Sequence, residues 1–383
     1  MDTELIEQMT NWRHALHACP EIAFEEVATA ALVAGVLRDH GFEVHEGIGR
    51  TGVVGSLTRS AGPVIGLRAD MDALPMAEAN DFAHRSRHEG KMHACGHDGH
   101  TAMLLGAAVA LSRDADWRGT VRVIFQPAEE GPWAGGRMMV EDGLFERFPC
   151  DAVFGLHNWP GIPLRHFAIN AGPMMASFDT FEIVIDGKGA HAAMPEEGAD
   201  VLVCASQIVN ALQTIVSRRV SPKESAVVSV TQIHGGEAWN VLPERAVIRG
   251  TVRCFSSDVQ ESIRASMDEI SAGIAQALGV KATLDYRSAY PATINSEAET
   301  DLASAAAAAV AGASGVQRGC PPSMASEDFS FMLHQRPGAY IWMGVDEATP
   351  SAPLHNPRYD FNDAALPIGA AYWVNLVKLF GSR

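Results

Sequence analysis

Clusters of lysine and arginine are missing from this 383-residue chain, whose formal charge is −17 from 46 acidic and 29 basic residues. Phosphate backbones need cationic contacts, so nucleic acid is not an expected partner. The sequence offers no apolar run expected to cross a bilayer. Its opening, Met1-Asp2-Thr3-Glu4-Leu5-Ile6-Glu7, lacks the basic region and apolar stretch of a secretory signal. The six cysteines (Cys19, Cys95, Cys150, Cys204, Cys254 and Cys320) are scattered without the spacing of a disulfide framework, which fits a reducing compartment. A cytoplasmic protein without membrane contact is expected. Disorder is not: 47% hydrophobic and 20% charged residues are ordinary for a globular chain, and the length calls for two domains.

What the chain does have is His93-Ala94-Cys95-Gly96-His97-Asp98-Gly99-His100, three imidazoles, a thiol and a carboxylate around two glycines. Thiolate and neutral imidazole suit zinc and its neighbours, and Gly96 lets Cys95 and His97 reach one ion. No second Cys or His cluster stands nearby, so the remaining ligands are expected from distant segments, as in an open catalytic site.

Short apolar strands at 52–57, 64–67, 120–125 and 151–156 alternate with helices and end in charged loops. This reads as α/β with a mostly parallel sheet whose ligand groups gather at the C-terminal strand ends. From about Phe178 the order becomes strand, helix, strand, strand, helix, strand, the signature of a ferredoxin-like α+β sandwich. A discontinuous catalytic domain, 1–175 plus 291–383, with a domain inserted at 176–290, is the simplest account.

Four further loci are candidates for the site. Glu129 and Glu130 are adjacent on an extended segment, so one carboxylate can bind metal while the other faces substrate. His157 follows an apolar strand, and His355 lies near the C-terminus. Asp70 or Asp72 is placed to hold a ligand histidine by its far nitrogen. Two other classes stay open: an inert metal-binding scaffold, and a thiol amidase with Cys95 as nucleophile and His97 or His100 as base.

The strings LRADMDALP (67–75), HACGHDGHTAMLLGAA (93–108), QPAEEG (126–131), GLHNWP (155–160), GKGAHAAMP (187–195), NVLPE (240–244), GTVRCF (250–255), SEDFS (326–330) and LHNPRYDFND (354–363) resemble the metal-dependent amidohydrolases typified by hippurate hydrolase, N-acyl-amino-acid amidohydrolases and auxin-conjugate hydrolases. The resemblance covers nearly the whole chain. It implies a metallopeptidase catalytic domain with a ferredoxin-like lid that often pairs with a second copy, hence a homodimer or homotetramer. It implies two divalent ions (zinc, manganese, cobalt or nickel) on Cys95, His97, Glu130, His157 and His355, with Glu129 as general base. The implied substrate is an N-acyl-amino acid, with a carboxypeptidase or dipeptidase as the alternative. His191 in the lid is then the candidate donor to the tetrahedral oxyanion, in its own chain's site or in a partner's. Asn240 and Arg253 are candidates to grip the substrate's α-carboxylate.

Overall fold

Eight strands join in one sheet, in the order Glu43–Ile48, Gly52–Thr58, Thr120–Gln126, Val64–Asp70, Ala152–Pro163, Gly338–Asp346, Phe167–Ile169, Val316–Arg318. In the computed structural model, which describes residues 1–347 and 351–383, the centre of this sheet is parallel. Val64–Asp70 runs parallel to both Thr120–Gln126 and Ala152–Pro163, and Gly338–Asp346 runs parallel to the latter. The hairpin Glu43–Ile48/Gly52–Thr58 makes an antiparallel margin. Central strands are apolar on both faces because helices cover both.

The helix His97–Arg113 is buried along almost its whole length, and glycines on it and on its neighbour explain how closely they approach. A methyl at Gly106 would lie 2.0 Å from Met9 Sδ, and one at Gly369 would lie 2.1 Å from Met103 Sδ. Helices Thr3–Ala18 and Leu366–Gly381 therefore pack onto this central helix at positions where no larger residue fits. The helix begins at His97, so the metal-type residues His97, Asp98 and His100 open the helix itself.

The chain divides into two units: Met1–Met174 with Ile294–Pro322 and Asp328–Arg383, and Met175–Thr293 with Ser323–Glu327. The second unit's sheet is antiparallel, ordered Ala226–Gly235, Arg245–Cys254, Phe178–Asp186, Lys281–Tyr290. Helices Val201–Thr214 and Ser257–Ala277 complete the ferredoxin-like order. Phe181, Ile183 and Ile185 alternate inward along their strand, and Val201, Cys204, Ile208 and Leu212 form the helix stripe of the same core.

Where the sequence promised no bilayer-length apolar run, two helical stretches, Val201–Arg219 and Asp363–Gly381, are long and apolar enough by composition to span one. Part of their apolar residues lies in the two cores. Ile368, Tyr372, Trp373, Leu376 and Phe380 are buried in the first unit's core, as the stripe just named is in the second's.

Candidate metal centre

Three strand ends and one turn build the cluster. Val64–Asp70 delivers Asp70 and Asp72, Thr120–Gln126 leads into Glu129 and Glu130, and Ala152–Pro163 carries His157. Gly96, at φ +92°, turns the chain sharply between Cys95 and His97, and a methyl there would sit 2.4 Å from Asn158 Oδ1. Only glycine allows both the left-handed turn and the close approach. His355, itself at φ +62°, is hung on the same segment by its N–H, which donates to Ala94 O at 2.8 Å.

The ligand atoms of Cys95, His97 and His157 lie within 4.8 Å of one another, as do those of Cys95, Glu130 and His355, and those of His97, Glu129 and Glu130. Cys95 Sγ is 3.4 Å from His157 Nε2, and Glu130 Oε1 is 2.9 Å from His355 Nε2. Two overlapping triads that share one thiol make a donor set suited to a pair of borderline-soft divalent ions.

The far nitrogens settle which ring atoms face the cluster. His97 Nδ1 donates to the main-chain carbonyl of Asp72 at 2.9 Å, and His157 Nδ1 donates to that of Asn158 at 2.6 Å. A carbonyl only accepts, so the opposite Nε2 atoms are left as the metal-facing ones. His97 Nε2 is buried without a hydrogen-bond partner. Buried polar atoms are rarely orphaned, and a cation at this point answers the deficit.

Without a cation the cluster holds protons that metal would displace. Burial pushes the Cys95 thiol well up, and the charges of Glu130 and Glu129 add to it. Such a thiol is a poor nucleophile by itself, which counts against the thiol amidase. At His97 burial favours the neutral ring, but Asp70 and Asp72 outweigh it and raise the imidazole to about 10. Burial and the neighbouring His100 hold His157 well below the usual range. Metal affinity is therefore expected to rise with pH.

Of the two carboxylates expected behind a ligand histidine, Asp72 takes that place, with Oδ1 3.3 Å from His97 Nδ1, and Asp70 does not. Its Oδ2 lies 3.8 Å from Nε2 of His97, the cluster-facing nitrogen, while its Oδ1 takes a 2.5 Å hydrogen bond from His100 Nδ1. Arg68 holds Asp70 at 2.7 Å and also binds Gln126 at 2.9 Å and Asp328 at 3.2 Å. Burial works against the Asp70 charge, yet His97, His100 and Arg68 keep its carboxyl well below the usual range. The support beyond the ligands thus includes residues given no such role in advance. Asn158 faces His100 Nε2 and donates to the Tyr359 hydroxyl at 2.6 Å. Asn158 stands inside the string GLHNWP, its only signal, whereas His100 was named as one of the three imidazoles and as a possible base but not as a support.

His191, Asn240 and Arg253 belong to the second unit. His191 is exposed on the two-residue strand Ala190–His191 paired with Val241–Leu242, and Asn240 O accepts from Ala192 N at 3.0 Å. Both side chains line one pocket with Leu242 and Glu244. Arg253 is elsewhere. It donates to Ser326 Oγ at 2.8 Å and lies over the Phe178 ring at 4.1 Å. Arg245 is opposite Asp186 while Val252, beside Arg253, is opposite Asp179, so the strand separates Arg253 from the Asn240 end by about 25 Å at ~3.3 Å per residue. Within one chain, Asn240 and Arg253 therefore lie at opposite ends of this sheet.

Comparison with known proteins agrees with this chemistry. The family model described as Peptidase family M20/M25/M40 matches residues 66–379. A hippurate hydrolase of Campylobacter jejuni is 42% identical over 95% of this chain and 94% of its own length. An N-acetyl-L-cysteine deacetylase of Bacillus subtilis is 41% identical over 97% of this chain and 87% of its own. The crystal structure of a Bacillus subtilis protein described as a dinuclear metal binding peptidase of the M20 family superposes with a TM-score of 0.87 at 35% identity, covering 100% of this chain and 99% of that one. With the family model spanning most of the chain and relatives this similar along nearly all of it, the protein belongs to peptidase family M20/M25/M40.

Proposed function

We propose that the protein hydrolyses the amide bond of N-acyl-amino acids of the hippurate and N-acetyl-amino-acid kind. The observation that carries this is the position of Glu129. It is 8% exposed, adjacent to the ligand candidate Glu130, and within 4.8 Å of the ligand atoms of His97 and Glu130. An inert metal scaffold has no use for a second buried carboxylate there.

Two divalent ions, when bound, lower the pKa of a water and polarise the scissile carbonyl. Cys95, His97, Glu130, His157 and His355 would hold them; zinc, manganese, cobalt and nickel all suit that set. Glu129 takes the proton as the water oxygen bonds to the carbonyl carbon, and delivers it to the amine nitrogen as the C–N bond breaks. His191 donates to the oxyanion, and Arg253 receives the α-carboxylate as a planar fork.

The separation of Arg253 from His191 and Asn240 along one strand favours a homodimer, in which a site takes Arg253 from one chain and the other two from its partner. Six free cysteines fit the reducing cytoplasm. On the acyl side, a pocket lined by Trp159, Pro353 and Leu354 begins two residues past His157 and one before His355. Trp159 stacks on Trp342 at 4.2 Å, a flat apolar surface that favours an aromatic acyl group.

The test is a panel of N-acetyl, N-benzoyl and indole-acetyl amino acids with dipeptides, assayed with each metal and after chelation. Metal-restored cleavage of N-acyl-amino acids is expected, benzoyl substrates ahead of acetyl. Preference for dipeptides would favour a carboxypeptidase, and activity that survives complete metal removal would return the chemistry to Cys95.

A further inference from the structure

Glu26 precedes the helix Val27–Asp39 and is fully buried. Its Oε1 accepts from Ala128 N at 2.9 Å and its Oε2 from Thr51 Oγ1 at 2.6 Å. Ala128 has φ +49°, a left-handed backbone that an alanine rarely adopts. Such a conformation persists only where the surroundings impose it. Two residues on, Glu130 N donates to Asp72 Oδ2 at 2.8 Å. The main-chain N–H groups on both sides of Glu129 are thus each held by a buried carboxylate from a different segment, and Ala128 O accepts from Gly135 N at 2.9 Å to close the loop.

We propose that Glu26 is a positioning residue for Glu129, holding the left-handed turn at Ala128 so that the adjacent carboxylate keeps one direction. The inference rests on the reading of Glu129 as general base. Retaining a carboxyl here works against its own charge: burial pushes it up to about 7 and Asp72 adds to that, while Thr51 and the Ala128 N–H pull against them. Displacement of a catalytic group by about 1 Å costs on the order of 100-fold in rate, so a lost clamp is read in kcat before it is read in binding.

The experiment compares Glu26→Ala, Glu26→Gln and Glu129→Gln for kcat, KM, bound metal and thermal unfolding. Glu26→Ala is expected to lower kcat at least ~30-fold with KM within about threefold and metal content unchanged. Glu26→Gln, whose amide oxygen still accepts from Ala128 N while its NH2 donates to Thr51, is expected to restore kcat to within about threefold of the native protein. If Glu26→Ala does not fold, Glu26→Asp carries the test, because it keeps the charge but withdraws it by one methylene and should show the same loss. Native kcat in the Ala or Asp variant, an equal defect in Ala and Gln, or a loss that only tracks lost metal would overturn the positioning role. An active Glu129→Gln would overturn the base assignment instead.

Discussion

The two groups of site residues live in opposite surroundings. Cys95, His97 and His157 are buried, held by main-chain carbonyls and a glycine turn, and complete as a cluster within one unit. His191 and Asn240 are exposed, held by a two-residue ladder and by the N–H groups of Ala192 on Asn240 O and of Ala193 on His191 Nδ1. Packing builds the first group in advance. The second presents a donor and an amide at the surface of the other unit. Damage to the first should therefore be chemical and confined to its own chain, whereas damage to the second should be repairable by another copy.

The sharpest way to break that contrast is at Glu129. Glu129→Gln is expected to lower kcat by about 10³-fold or more while metal content and thermal stability hold, whereas Glu130→Gln loses metal as well. Metal analysis beside activity checks both, and substantial activity in Glu129→Gln would sink its role. His191→Ala, expected to cost about 10²–10³-fold, probes the exposed half. Remixed with Glu129→Gln from dissociated chains, it should recover about a quarter of native activity, because half of the dimers are hybrids with one intact site of two. No recovery, with hybrids confirmed by mass, places His191 in its own chain's site or outside catalysis.

Stability against pH sharpens the comparison from the side of the buried unit. His17 is buried, with Nδ1 2.8 Å from Asp98 and Nε2 3.1 Å from Glu78. Burial disfavours its charge, but Asp98 and Glu78 prevail and raise it to about 9. A folded-state pKa above the ordinary 6.5 stabilises fully below pH 6.5, and the contribution fades as pH rises to about 9. The native protein's advantage over His17→Gln should therefore shrink across that window, by on the order of 2–3 kcal/mol. Unfolding of both proteins at pH 6 and pH 9 measures it, and an advantage independent of pH counts against a charged His17. The smallest effect is expected at Arg253→Ala, a KM about 30-fold higher for N-acyl-amino acids and little changed for their amides, which lack the carboxylate. Equal losses on both would make Arg253 structural.

The metal half was legible because its residues are contiguous or sit in recognisable strings, and the chemistry of a thiol between imidazoles admits few readings. The alternation of strand and helix gave the sheet, but not its antiparallel hairpin at Glu43–Thr58. What escaped were contacts made by the main chain. Nothing in the letters of Asn158 says that its carbonyl orients His157, and at Asp72 the carboxylate was expected behind a histidine but the carbonyl beside it was not. The position of Arg253 relative to Asn240 depends on strand register, which spacing along the chain does not report. Glu26 escaped for a related reason, since its partner is the amide of an alanine.

The interrupted first unit has a consequence for how the protein is made. Its strand Gly338–Asp346 pairs with Ala152–Pro163, and its last helix, Leu366–Gly381, covers the helix that carries His97. During synthesis those late segments are still missing when residues 175–293 have already emerged, so the inserted sandwich is able to fold first, while the sheet that bears the candidate ligands waits with its central edge unpaired. Truncated nascent chains ending near Pro291 should therefore resist protease in the sandwich and be cut in the segments that precede it. The early strands are the ones exposed to wrong partners in that interval, and the shortage of time, more than of stability, is what a chaperone would relieve.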